Sequence, residues 1–144
     1  MPYLKINYSA EEGRSLFETV NLPWQATRFN DKCCELIGCD CIESIDTLIY
    51  GIKMLSDKDY KTWDGWEKRI NKYATFLRCN SHEPIAGDVI LAHKVDGQLY
   101  PLSEGEIYHI VQTISHYFSL EVRCDRMLTE FMINTGRIKS NASN

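Results

Sequence analysis

Cysteine and histidine are the residues whose type and spacing could do chemistry. The chain has six cysteines, four of them bunched as Cys33, Cys34, Cys39 and Cys41. On an extended strand, Cys39 and Cys41 would share one face, with thiols roughly 6.5–7 Å apart. Cys79 and His82 are separated by two residues, a common zinc half-site because a tight turn aims both ligands at one point. Cys39, Cys41, Cys79 and His82 together would close a structural Cys3His site for one zinc, with Cys33 and Cys34 as substitute ligands. The competing reading is buried thiols, since free cysteine is among the most buried residue types, and C-x-C is a weaker metal signal than paired C-x2-C knuckles. Cys124 has Arg123 and Arg126 nearby but no evident base, so it reads as a structural thiol. His109 and His116 would lie about 10.5 Å apart along one helix, too far to share a metal, and His93 reads as a local hydrogen-bonding residue.

Two charged segments suggest binding. Asp31, Glu35, Asp40, Glu43 and Asp46 form an acidic run interrupted by Lys32 alone. Glu35, Asp40 and Glu43 are its candidate partner-binding residues, because carboxylates can occupy a basic groove by electrostatic complementarity. Residues 61–78 carry Lys61, Lys68, Arg69, Lys72 and Arg78 beside Trp63, Trp66 and Tyr73. Trp66, Lys68, Arg69, Lys72, Tyr73 and Arg78 are thus the alternative, nucleotide-binding set, with cations for phosphates and rings for stacking. An amphipathic helix with core aromatics and solvated lysines explains the same pattern. The acidic pairs Asp57/Asp59 and Glu11/Glu12 read as exposed turn or cap residues.

These residues need elements to hold them. Tyr3 to Tyr8 alternates as a short strand. Ser9 and Glu12 have capping-box spacing for a helix continuing through Leu16, Phe17 and Val20. Asp31 to Ile37 reads as a helix closed by Gly38. Residues 39–55 read as a strand pair, the second strand running from Leu48 through Tyr50, Ile52 and Met54. Ser56 to Asp59 reads as a polar turn, and Trp66 to Leu77 as one helix with Ile70, Ala74 and Leu77 on its apolar face. Gly87 to His93 is the clearest strand. Asp96-Gly97 signals a hairpin into Gln98-Leu99-Tyr100. Ser103 and Glu106 cap the longest helix, striped by Ile107, Ile110, Val111, Ile114 and Phe118. Glu121 to Arg123 reads as an edge strand, and Asp125 as the cap of a last helix stopped by Gly136. The expected fold is α+β, a mostly antiparallel sheet of four to five strands covered by helices.

The 144 residues fit one domain, expected over 1–139 with a frayed polar tail at 140–144. Net charge of −4 disfavours direct, nonspecific binding to nucleic acid or an anionic membrane. No apolar run is long enough to span a bilayer. The opening Met1-Pro2-Tyr3-Leu4-Lys5 lacks the pattern of a secretory signal, so a cytoplasmic location is expected. No G-x-G-x-x-G or G-x4-G-K-[ST] loop is present, and no signature frames a nucleophilic cysteine. The sequence therefore points away from an enzyme.

Three segments in order give the chain a resemblance. They are Ile37-Gly38-Cys39-Asp40-Cys41-Ile42-Glu43, Asn71-Lys72-Tyr73-Ala74-Thr75, and Pro84-Ile85-Ala86-Gly87-Asp88-Val89 followed by a helix start at Leu102-Ser103. In these, roughly over residues 30–118, the chain resembles a domain-of-unknown-function family carried by phages and mobile elements. That family usually has Leu-Pro where this chain has Arg69-Ile70. The resemblance implies a mobile-element context and no assigned reaction. By analogy with small accessory proteins of such elements, the expected role is a non-enzymatic, anti-CRISPR-like one. The chain would bind a host defence protein, for example a CRISPR effector, and block its nucleic-acid surface. The alternative is a small-molecule binder that sequesters a nucleotide signal.

Overall fold

From Val89 to Ala92 every side chain is apolar, the pattern of a strand covered on both faces. The computed structural model describes residues 2–8, 14–78, 83–119 and 124–134, and this stretch begins its central strand. In chain order the elements are β1 (Tyr3–Ile6), β2 (Phe17–Val20), α1 (Ala26–Ile37), β3 (Ile42–Asp46), β4 (Ile52–Asp57), α2 (Lys72–Leu77), β5 (Val89–Val95), β6 (Gln98–Tyr100), α3 (Glu104–Phe118) and α4 (Arg126–Asn134). The strands form one sheet in the order β2-β1-β5-β4-β3, with every pairing antiparallel. β6 folds back on the end of β5, beyond the part that β1 covers. The protein is α+β, as the sequence predicts.

The central strands are buried on both faces. Leu4, Ile6, Phe17, Met54, Val89 and Leu91 pack with residues of α2, α3 and α4 on one side. Tyr3, Leu55, Ile90 and Ala92 pack against Phe29, Cys33 and Ile37 of α1 on the other. Each fully buried Leu or Ile contributes roughly 1.5–3 kcal/mol. The hairpin after β5 turns at Asp96 (φ 50°) and Gly97 (φ 78°), the paired positive φ values that a two-residue hairpin requires. α3 starts with the expected box. Ser103 Oγ accepts the Glu106 N–H at 3.2 Å and Glu106 accepts the Ser103 N–H at 2.9 Å. The other Glu106 oxygen meets His93 Nδ1 at 2.6 Å, so His93 does bond locally. Asp125 caps α4 through the Leu128 N–H (2.9 Å) and also takes the Thr19 N–H (2.6 Å), fastening α4 to β2.

Four expectations are corrected. Residues 17–20 are a strand, which brings the sheet to six. Phe17 is fully buried, Tyr3 to Ile6 pair with Val20 to Phe17, and the Asn7 N–H donates to Leu16 at 2.9 Å. Pairing with β1 overrides the helical spacing. α1 begins at Ala26, so Asp31 lies inside it, although Gly38 closes it in the left-handed region (φ 82°) as expected. Leu48 and Tyr50 lie in a turn and are exposed. There, Thr47 Oγ1 accepts the Ile49 N–H and donates to the Ile52 carbonyl at 2.9 Å. Trp66 to Leu77 is not one helix. A 3-10 turn over Trp66–Arg69 gives way to extended backbone at Ile70 and Asn71, and α2 starts afresh. The backbone there pairs sideways, Asn71 N–H to Ile85 and Gly87 N–H to Arg69 at 2.8 and 2.9 Å. The Ser9–Glu12 box, the 121–123 edge strand, the Gly136 stop and the 140–144 tail lie outside the described residues.

Candidate functional site

Side chains alternate along a strand, so Asp57 lies two residues past Leu55 on the α1 face of the sheet. It is 3% exposed. At the C-terminus of α1, the Gly38 and Cys39 N–H groups both donate to the Cys34 carbonyl, at 2.8 and 3.0 Å. This bends the chain so that Cys39 and Asp40 stand beside Asp57. The Lys58 N–H donates to the Cys41 carbonyl at 2.9 Å and holds the two segments together. Past β4, Asp59 leads into a 3-10 turn over Tyr60–Thr62, and Trp63 closes the far wall. The result is a notch of about 340 Å³ lined by Cys39, Asp40, Asp57, Asp59, Thr62 and Trp63.

Its electrostatics follow from three carboxylates in one small volume. Burial holds the Asp57 carboxyl above the ordinary range, and the neighbouring Asp59 and Asp40 charges add to this. Hydrogen bonds from the Asp59 N–H (2.8 Å) and the Trp63 side chain oppose the rise without cancelling it. Burial, then Cys34 and Asp57, push the Cys39 thiol up to about 12, so it is a neutral thiol at physiological pH. A notch of this kind attracts cations and contains no activated nucleophile among the described residues.

The raised Asp57 carboxyl works against folding at neutral pH. Its contribution to stability is fully present below the unfolded-state pKa and is lost as pH rises through the higher folded value. Asp57→Asn should therefore raise the melting temperature at pH 7. That gain should vanish as the pH falls below the carboxylate range. Thermal melts of both proteins from pH 3 to 7 check this, and an Asn variant that melts lower at pH 7 would contradict it.

A second polar group borders this site. Trp63 stacks on the Arg69 guanidinium at 4.7 Å, and Tyr8 covers the same guanidinium at 5.2 Å. The Tyr8 N–H donates to Asp88 at 3.1 Å, and Asp88 pairs with Lys5 (3.3 Å) and Arg14 (2.5 Å). Gly87 (φ 83°) lies directly under Trp63, and a Cβ there would stand 3.0 Å from the ring.

The structure separates the residues that the sequence groups. Cys39 belongs to the cap of α1, where its N–H meets the Cys34 carbonyl. Cys41 is exposed and precedes β3, with its Sγ 3.9 Å from the Ile42 carbonyl. The common strand face expected for Cys39 and Cys41 is thus not formed, because the chain is still turning out of α1 there. Cys79 and His82 lie outside the described residues. Among the described residues, no group of three or more His, Cys, Asp and Glu side chains is arranged to hold a metal. Cys33 is fully buried against the sheet, and burial pushes the thiols of Cys33 and Cys124 up to about 12, fitting structural roles.

Of the acidic set, Asp40 alone lines the notch. Glu35 is exposed and pairs with Lys32 at 3.3 Å, while Glu43 lies with Lys58, Lys61 and Arg78 in an adjoining depression that shares Asp59 and Thr62 with the notch. Asp57 and Asp59, which the acidic set leaves out, line the notch beside Asp40. The sequence signal for Asp57 is its i+2 spacing from Leu55, which is masked by the polar Ser56-Asp57-Lys58-Asp59 run. In the basic-aromatic set, Trp66 packs edge-on against Tyr60, Tyr73 packs edge-on against Phe118, and Lys72 lies over Tyr73. Arg78 is 3.9 Å from Glu83 and Lys68 is exposed. Arg69 and Arg78 thus have different neighbours, and the break at Asn71 places Lys68 and Lys72 on different elements.

Comparison with protein-family models, curated proteins and solved structures gives no match for this chain. Among the described residues, no helix is long and apolar enough to cross a membrane.

Proposed function

We propose that this chain works by binding rather than by catalysis. On this reading it is a phage or mobile-element accessory protein that acts in the cytoplasm. Its carboxylate notch takes basic side chains from a host defence protein and covers a nucleic-acid-binding surface of that partner. The observation that carries this reading is the convergence of Asp40, Asp57 and Asp59 beside Trp63, with one carboxylate held against its own charge preference. None of the three forms an ion pair among the described residues, and the exposed Asp40 and Asp59 present their carboxylates to a partner. Complementary charge of this kind speeds encounter and selects basic partners. The defence context rests on the three-segment resemblance.

The test is capture from a bacterial host lysate with the tagged protein. Asp40→Lys with Asp59→Lys should weaken retention of the captured partner about tenfold or more, equivalent to about 1.4 kcal/mol. Lys68→Ala with Lys72→Ala should leave retention unchanged. The captured partner should also bind an oligonucleotide less well while the protein is attached. Retention that survives the charge reversal, or that is lost with the lysine pair, would sink the reading and favour nucleotide sequestration.

A further inference from the structure

The cap of α1 brings two cysteines together. The Cys39 N–H reaches back to the Cys34 carbonyl at 3.0 Å across the left-handed Gly38. In this type of helix ending, the residue after the glycine commonly meets the residue five positions earlier in an apolar contact. Here both partners of that contact are cysteines. Both side chains are half-buried rather than sealed in the core. The cap itself orders this juxtaposition, since Gly38 fixes the turn and α1 is anchored by Phe29, Cys33 and Ile37 in the apolar layer.

We propose that Cys34 and Cys39 are a disulfide-forming pair that closes across the C-terminal cap of α1. The oxidant is a low-molecular-weight disulfide, with glutathione disulfide as the probe. The Cys34 thiolate attacks a sulfur of glutathione disulfide, and a glutathione thiolate leaves. The second thiol gives its proton to solvent and displaces the other glutathione from the mixed disulfide. Two protein thiols are oxidised, and one glutathione disulfide is reduced to two glutathiones. The backbone hydrogen bond already brings the two residues together, so the bridge needs little movement of the main chain. Once formed, it ties α1 to the residue preceding Asp40 and fixes that rim of the notch. The pairing does not depend on the proposed function, and its test is chemical.

The folded full-length protein is incubated with glutathione disulfide, alkylated with N-ethylmaleimide and weighed by mass spectrometry. The expected product has Cys34 and Cys39 two hydrogens lighter than the dithiol, unalkylated and free of glutathione. Cleavage at Lys32, Glu35 and Glu43 should leave residues 33–35 joined to 36–43. Cys33→Ser and Cys41→Ser should keep the bridge, whereas Cys34→Ser and Cys39→Ser should each stop at a glutathione adduct or free thiols. Circular dichroism of each variant establishes that it is folded. A wild-type protein in which Cys34 and Cys39 remain reduced or hold glutathione, or a bridge of undiminished yield in folded Cys34→Ser, would overturn the pairing.

Discussion

Replacing Asn71 with alanine should destabilise the protein by about 3 kcal/mol, lowering the melting temperature by roughly 10 °C for a chain of this size. Asn71 is fully buried and serves both halves of the molecule. Its Oδ1 accepts the Ala74 N–H at 3.1 Å and starts α2. Its Nδ2 donates to the carbonyls of Ile6 (3.2 Å) and Gly87 (3.0 Å). Loss of a helix cap costs about 1 kcal/mol. Two buried carbonyls left without that donor add about 1–3 kcal/mol each, less any relaxation. Asn71→Asp separates the terms, because it keeps the cap acceptor and loses both donations. It should be at least as destabilising as alanine in urea and thermal unfolding. If aspartate restores wild-type stability, the cap alone matters and the link to the sheet does not.

Asp88→Ala should cost about 3–5 kcal/mol, because it strands a buried cation. Lys5 is 8% exposed, and its ammonium lies 3.3 Å from Asp88. Asp88 also accepts the Tyr8 N–H and pairs with Arg14. The penalty comes mainly from leaving the buried Lys5 ammonium without its carboxylate partner. The double change Lys5→Met with Asp88→Leu should therefore recover a large share of the loss. Urea unfolding of the two single variants and the double variant forms the cycle that tests this. A double variant as unstable as Asp88→Ala would show that hydrogen bonding to Tyr8, rather than the stranded charge, sets the cost.

Local pattern was sufficient for much of the fold. The Ser103/Glu106 box, the Asp96-Gly97 hairpin, the Gly38 stop and the Asp125 cap all act between residues a few positions apart, so their spelling in the chain is their structure. The misjudged elements depend on distant partners. Phe17 to Val20 have helix-compatible spacing, but β1 offers them an unpaired edge. Ile70 completes an apolar stripe in the sequence, yet its backbone pairs with Ala86.

The candidate site divides in the same way. Asp40 is recognisable from the acidic run, but its fellow carboxylates come from the end of β4 and the turn beyond it, some twenty residues along. Cys34 and Cys39 are visible in the sequence as neighbours of a helix-stopping glycine, and the geometry of that cap accounts for their meeting. By itself, the sequence determined the α+β class, the central strand, the helix caps and the supply of thiols and carboxylates, because periodicity and capping are properties of nearby residues. The tertiary structure alone decided that Asp57 is buried, that residues 17–20 join the sheet and that the basic-aromatic segment breaks at Asn71. Each of these depends on which long-range partner satisfies a backbone or side-chain group, and burial forces that choice.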